Sequence, residues 1–306
     1  MVRAAEYGGA HHDAWGQGDI MSIHADPAGG GATLPVTATG SSDAPASTQA
    51  PAAASAEASL APVDLSLGFG QRTVLSGITT NVQKGAITAL IGPTGSGKST
   101  LLRTFNRMND KVSGYRHDGD VLLDGHSIWS PHVELMTLRR RVGMLFQRPN
   151  PFPMSIMDNV VSGVRAHKMA SRSGMREITE RRLTEVGLWD AVSSRLKDSP
   201  FRLSGGQQQL HCLARALAIE PDVLLLDEPT SSLDPVATES IEALIRALVP
   251  RLTVVIVTHN LAQARRVADQ VIFLNKGRLV EHGETKQVFE NPAEEETANY
   301  VTGRFG

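Results

Sequence analysis

Cysteine is almost missing from this chain: among 306 residues Cys212 stands alone. No intrachain disulfide can form, which suits a reducing compartment such as the cytoplasm. Charge of either sign is not in excess. With 30 basic and 32 acidic residues the formal net charge is -2, so no positive field argues for nucleic acid as a partner. No apolar run approaches the roughly 18–20 residues that cross a bilayer. The first residues lack the basic start and apolar stretch of a signal peptide, so work at a membrane is expected to go through a partner. No period of roughly 20–50 residues recurs, which excludes a repeat protein. Residues 1–59 contain no lysine and are rich in Ala, Gly, Ser, Thr and Pro. Without sustained periodicity they cannot bury enough apolar surface to offset their ordering entropy, and a disordered tail is expected there. The tail's His11, His12 and His24 have no further ligands at metal-site spacing.

What is present from about residue 62 onward is an α/β pattern, in a chain that is 41% hydrophobic. Residues 62–67 and 74–82 alternate as half-buried strands do. Residues 86–91, 142–146, 223–226 and 253–257 are short apolar runs read as strands, 223–226 continuous as in a parallel strand buried on both faces and 253–257 β-branched. Helices are expected over 98–108, through most of 155–200, and over 239–248 and 261–268, with a hairpin at 271–281 around Asn275-Lys276-Gly277.

The run 86–91 leads into Gly92-Pro93-Thr94-Gly95-Ser96-Gly97-Lys98-Ser99-Thr100, the pattern G-x-x-x-x-G-K-[ST] between a strand and a helix. Backbone N–H groups of such a turn, added to the positive end of a helix, bind oligophosphate. Lys98 would reach the β- and γ-phosphates, and the Ser99 hydroxyl would hold Mg²⁺. Further on, Asp227 and Glu228 end the buried run 223–226. Ligands of open α/β sheets bind at the carboxyl ends of strands. Asp227 is therefore expected to face the same Mg²⁺ and Glu228 to polarise a water; taken without the phosphate loop, two acids there would equally suit a solvated strand end.

Leu203-Ser204-Gly205-Gly206-Gln207 precedes a helix, and with it the chain resembles the ATP-binding cassette (ABC) ATPases. The resemblance implies an α/β P-loop NTPase fold with a RecA-like core, an antiparallel β subdomain and a helical subdomain at about 150–203, the cassette running over 62–301 and 302–306 forming the C-terminal end. It implies ATP and Mg²⁺ as cofactors, and a homodimer in which Ser204, Gly205, Gly206 and Gln207 grip the nucleotide on the other subunit's phosphate loop. On the same resemblance Gln147 senses Mg²⁺ and the γ-phosphate, and His259 contacts the γ-phosphate. Asp234, in Ser231-Ser232-Leu233-Asp234, belongs to a dimer-contact loop or serves as a turn before a helix. Phe69 stacks on adenine or belongs to the core.

The stretches Phe105–Asp110, Arg139–Met144, Arg148–Ile156 and Tyr300–Gly306 narrow the resemblance to the ATP-binding subunits of bacterial phosphate importers. That implies two integral-membrane permease subunits and an extracytoplasmic phosphate-binding protein as partners, and a place on the cytoplasmic face of the cell membrane. The cassette of another importer, for phosphonates or amino acids, is the alternative. So is a regulatory cassette that binds ATP and turns over weakly, because Leu210 and His211 stand where the family continues with arginine. The short, cysteine-free 155–200 stretch argues against the DNA-repair ATPases of the same fold.

Overall fold

The computed structural model describes residues 58–231 and 233–304. The tail expected over 1–59 therefore lies outside the described residues except for Ala58 and Ser59, and so do Ser232, Phe305 and Gly306. Ala58 and Ser59 open the first strand, where Ala58 pairs with Gln83.

Eleven strands among the described residues form two sheets. The first is antiparallel, built from β1 (Ala58–Phe69), β2 (Arg72–Ile78), β3 (Val82–Gln83), β5 (Tyr115–Leu123) and β6 (His126–Ser127), in the order β2-β1-β5-β6 with β3 also on β1. The second contains β4 (Ile87–Ile91), β7 (Val142–Leu145), β8 (Val223–Asp227), β9 (Thr253–Val257), β10 (Gln270–Asn275) and β11 (Arg278–Glu284). Its order is β11-β10-β4-β9-β8-β7, parallel throughout except for the β10–β11 hairpin.

Eleven α-helices are described: α1 (Lys98–Thr104), α2 (Leu135–Arg141), α3 (Ile156–Val160), α4 (Ser162–Ala166), α5 (Gly174–Glu185), α6 (Trp189–Val192), α7 (Gly205–Ala218), α8 (Pro235–Leu248), α9 (Leu261–Val267), α10 (Thr285–Glu290) and α11 (Glu295–Val301). None is long and apolar enough to cross a membrane. Side-chain caps set several starts: Ser204 opens α7 with a reciprocal Gln207 capping box, Asp234 opens α8 ahead of Pro235, and Asn260 opens α9.

The central strands β4, β9 and β8 are buried along their whole length because cores lie on both faces. Successive side chains alternate between them: Leu224 and Leu226 of β8 enter the core shared with α3, α7 and α8, whereas Val223 and Leu225 enter the one shared with α1 and the antiparallel sheet. Hence these strands read as unbroken apolar runs. The sequence pattern differs from the structure at α1, which stops at Thr104 rather than at 108. Phe105 and Arg107 N–H turn to the carbonyls three residues back, Leu102 at 3.3 Å and Thr104 at 2.9 Å, and Arg107 takes a positive φ of 58°, which ends the helix. The first half of β5, and β6, α2, α10 and α11, carry no periodicity that announces them.

Helices α3–α6 fill residues 156–192 and are held to α7 by polar clamps. Arg215 donates to the Asn150 carbonyl and side chain at 3.0 and 2.7 Å, and its guanidinium lies 4.3 Å from the centre of the Phe152 ring. His211 is fully buried and meets the Ile156 carbonyl at 3.0 Å. A carbonyl only accepts, so Nε2 carries the proton.

Candidate functional site

β4 delivers Gly92 against the backbone of β10. Gly92 has a φ of +143°, and a Cβ there would collide with the Leu274 carbonyl oxygen; only glycine fits. The loop closes with Ser96 N–H on the Pro93 carbonyl at 3.2 Å and is tied to the β10–β11 turn by Gly277 N–H on the Ser96 carbonyl at 3.2 Å. Gly97, at φ +103°, turns the chain into α1. Lys98 folds back over the loop and donates to the carbonyls of Gly92 and Pro93 at 2.7 and 2.9 Å. Burial lowers the pKa of its ammonium, opposed by the charges of Glu228 and Asp227.

Across the loop the end of β8 presents both acids. Asp227, only 2% exposed, accepts from Ser99 Oγ at 2.8 Å and from Arg103 at 3.0 Å. Arg103 has no motif to announce it; it lies one turn after Ser99 on the same face of α1. Glu228 has a positive φ of 45°, and its N–H bonds the Val257 carbonyl at 3.0 Å, which turns its side chain off the strand line. Its Oε2 accepts from Gln147 Nε2 at 2.9 Å and meets His259 Nδ1 at 3.2 Å. Gln147, Glu228 and His259 follow β7, β8 and β9, three adjacent strands, and this adjacency brings them together.

A cleft of about 720 Å³ opens over the loop, bordered by Phe69, Arg72, Val74, Thr94, Gly95, Gly97–Thr100, Glu228 and His259. Its size falls in the range of ligand sites. Half-buried Phe69 lies in its wall, its ring 5.8 Å from that of Tyr115; a line of rings continues through His117 to Trp129, which stack 3.8 Å apart. Among the described residues no three His, Cys, Asp or Glu side chains converge on a metal position. The donors that do converge, the Ser99 hydroxyl and the Asp227 carboxylate, are hard oxygens, a set that fits Mg²⁺ completed by phosphate oxygens and water, whereas the Gln147 side chain bonds Glu228. The phosphate-loop amides and Lys98 fit an oligophosphate.

Two groups of predicted residues are not in this cleft. Ser204–Gln207 form the exposed start of α7, with Ser204 Oγ and the Gln207 side chain spent on each other's backbone. Asp234 accepts from Ala237 N–H at 3.0 Å as the cap of α8. Within one chain neither touches the phosphate loop. A second cleft, of about 770 Å³, opens between α8 and α9 and shares Glu228 and His259 with the first. Leu210, the departure from the family's arginine, packs partly buried against the larger core, and burial lowers the pKa of His211.

The ABC transporter family model matches residues 75–231. A phosphate import ATP-binding protein PstB from Mycobacterium intracellulare is 67% identical over 238 residues, covering 78% of this chain and 83% of its own length. PstB 2 from Mycobacterium tuberculosis is 63% identical over 247 residues, 81% of this chain and 89% of its own, and PstB 1 from Vibrio cholerae 52% over 242 residues, 79% and 89%. Among solved structures, cbiO1 from Clostridium perfringens, part of the ABC transporter complex cbiONQ, superposes with a TM-score of 0.66 at 30% identity, covering 81% of this chain and 96% of that one. A bacterial Atm1-family ABC exporter with ATP bound gives 0.68 at 26% identity, 85% and 44%.

Proposed function

The chain belongs to the ABC transporter family, and from that we propose that it is the ATP-hydrolysing motor of a phosphate importer. The observation that carries the ATPase reading is the cleft that unites Lys98, Ser99 and Glu228, with Asp227 bonded to Ser99 behind it; the relatives' names support phosphate as cargo. ATP would lie with its base on Phe69 and its phosphates over Gly95–Thr100. Lys98 then exchanges the carbonyls of Gly92 and Pro93 for the β- and γ-phosphate oxygens. Ser99, Asp227 and Gln147 would hold Mg²⁺, which when bound offsets charge on the phosphoryl group. Glu228 orients the attacking water and accepts its proton, while Gln147 and His259 fix its carboxylate and face the γ-phosphate. Such catalysis is positioning and electrostatics.

Two copies form the working unit in this reading. The Ser204–Gln207 turn of each covers the nucleotide of the other, and Asp234 lies at their contact. The exposure of that turn, and the second cleft beside Glu228, support it. ATP favours the closed dimer through contacts made only there. Two permease subunits would seat on the 150–203 region, where Phe152, Met154 and Phe201 are 42%, 40% and 56% exposed, and would link the motor at the cytoplasmic face of the membrane to a phosphate-binding protein outside. The test is Glu228→Gln in the assembled transporter. ATP should still bind while kcat falls by about 10²–10⁴ and labelled phosphate uptake stops with it. Unimpaired steady-state hydrolysis sinks the general-base assignment, and uptake of another solute but not phosphate sinks the cargo.

A further inference from the structure

Tyr300 has no part in the mechanism above, yet the fold carries it to the phosphate loop. Three contacts fix α11 on its way. The Glu281 carboxylate of β11, 6% exposed, accepts from the N–H groups of Ala293 at 2.9 Å and Glu294 at 3.2 Å. Asn275, the last residue of β10 and 4% exposed, donates to Glu296. The Tyr300 ring stacks on Phe273, with centres 4.8 Å apart and planes at 15°. Phe273 is in register with Ile91 across the β10–β4 pair, so Tyr300 is anchored one residue from Gly92.

We propose that α11 is a brace for the phosphate loop and that Tyr300 is a positioning residue for ATP, acting through Gly92. Burial raises the Tyr300 phenol, and a backbone hydrogen bond with Gly92 opposes that rise. A bond that favours the phenolate comes from a donor, so it is the Gly92 N–H that reaches the hydroxyl. The carbonyl of the same residue accepts from Lys98 at 2.7 Å. Both backbone groups of Gly92 are thus fixed by side chains, one from the far end of the chain and one from the residue that meets the phosphates. Gly92 has little freedom on its other side, since it abuts the Leu274 carbonyl. Releasing the Tyr300 contact lets Gly92 rotate away from Leu274 and takes the Lys98 anchor with it. The effect falls on ground-state capture of the β- and γ-phosphates, not on the Glu228 acid.

This inference rests on the ATP reading of the cleft, and the experiment separates the two. Full-length protein is compared as native, Tyr300→Phe, Tyr300→Leu and Lys98→Ala, measuring KM for MgATP, kcat, binding of radiolabelled ATP, and Tm. Tyr300→Phe keeps the ring on Phe273 and loses only the hydroxyl. It should raise KM about fivefold, the worth of one hydrogen bond, with kcat changed less than about twofold and Tm nearly native. Tyr300→Leu should raise KM further. A native KM in Tyr300→Phe, with Lys98→Ala unable to bind, overturns the inference and leaves the cleft reading intact. So does a Tyr300→Leu variant that loses only Tm and kcat, the mark of packing alone. Native ATP binding in Lys98→Ala overturns the cleft reading and the inference with it.

Discussion

Replacing Gly92 by alanine and, separately, Gly95 by alanine distinguishes a glycine that the fold requires from one that the ligand requires. Both lie in the phosphate loop with positive φ, +143° and +81°. A side chain at such angles costs about 1–3 kcal/mol of backbone strain. The surroundings then differ. A Cβ on Gly92 meets the Leu274 carbonyl oxygen head-on and lies 3.1 Å from its carbon and 3.0 Å from Ser96 Oγ, whereas one on Gly95 meets nothing within 4 Å. Leu274 belongs to β10, paired on both sides by β4 and β11, and cannot withdraw alone. Overpacking of that kind adds about 1–3 kcal/mol. The expected totals are about 4 kcal/mol for Gly92→Ala and about 1.5 kcal/mol for Gly95→Ala. For a domain of this size these lower Tm by about 8–16 °C and about 3–6 °C. At Gly95 the ligand feels the substitution directly. The open space at Gly95 borders the cleft, so its new methyl occupies phosphate volume and should weaken ATP binding by at least about tenfold, roughly 1.4 kcal/mol. Thermal melts and equilibrium binding of a fluorescent ATP analogue give both readouts. Equal Tm losses, or near-native ATP affinity in Gly95→Ala, would refute the reasoning.

Three further outcomes follow from the site and the core. Burial lowers the pKa values of His117, His211 and His282. The unfolded chain then binds protons first, and the stability these groups contribute is present above about pH 6.5 and is lost as pH falls through their folded values; Tm should drop between pH 7.5 and 5.5, and His211→Leu should flatten that dependence. Phe69→Ala should raise KM for ATP about tenfold, roughly the 1–3 kcal/mol of a base stack, with kcat little changed; an unchanged KM places Phe69 in the core alone. Asp227→Asn leaves Arg103 without its anion and weakens the Ser99 acceptor, so the Mg²⁺ concentration needed for half-maximal hydrolysis should rise at least about tenfold, read by titrating Mg²⁺ at fixed ATP.

The phosphate loop and the two acids were legible because each follows an apolar run with nowhere to go but a buried parallel strand. Strand β9 was read with the bounds it has, since Thr253–Val257 is β-branched and wholly buried. The Tyr115–Asp120 half of β5 was invisible: Arg116–Gly119 are exposed and show no apolar alternation, and it is a strand only because β1 offers a ladder beside it. Arg103 and Tyr300 escaped for a related reason. Each matters through a neighbour distant in sequence, and only the strand order supplies that neighbour. Ser204–Gln207 and Asp234 are a different case. Their visible work is capping helices, and the role the resemblance gives them needs a second chain.

The place of β4 in its sheet bears on how the protein is made. Its two neighbours are β9 and β10, ending at Val257 and Asn275, so the strand that carries the phosphate loop leaves the ribosome about 180 residues before its flanks are complete. At roughly 5–20 residues per second that is roughly 10–40 s. During that interval Ile87–Ile91, all apolar but for Thr88, has no sheet to join. A chain stalled between the phosphate loop and β10 would hold every residue of the loop without the strands that fix it, with a bare hydrophobic strand for chaperones to cover.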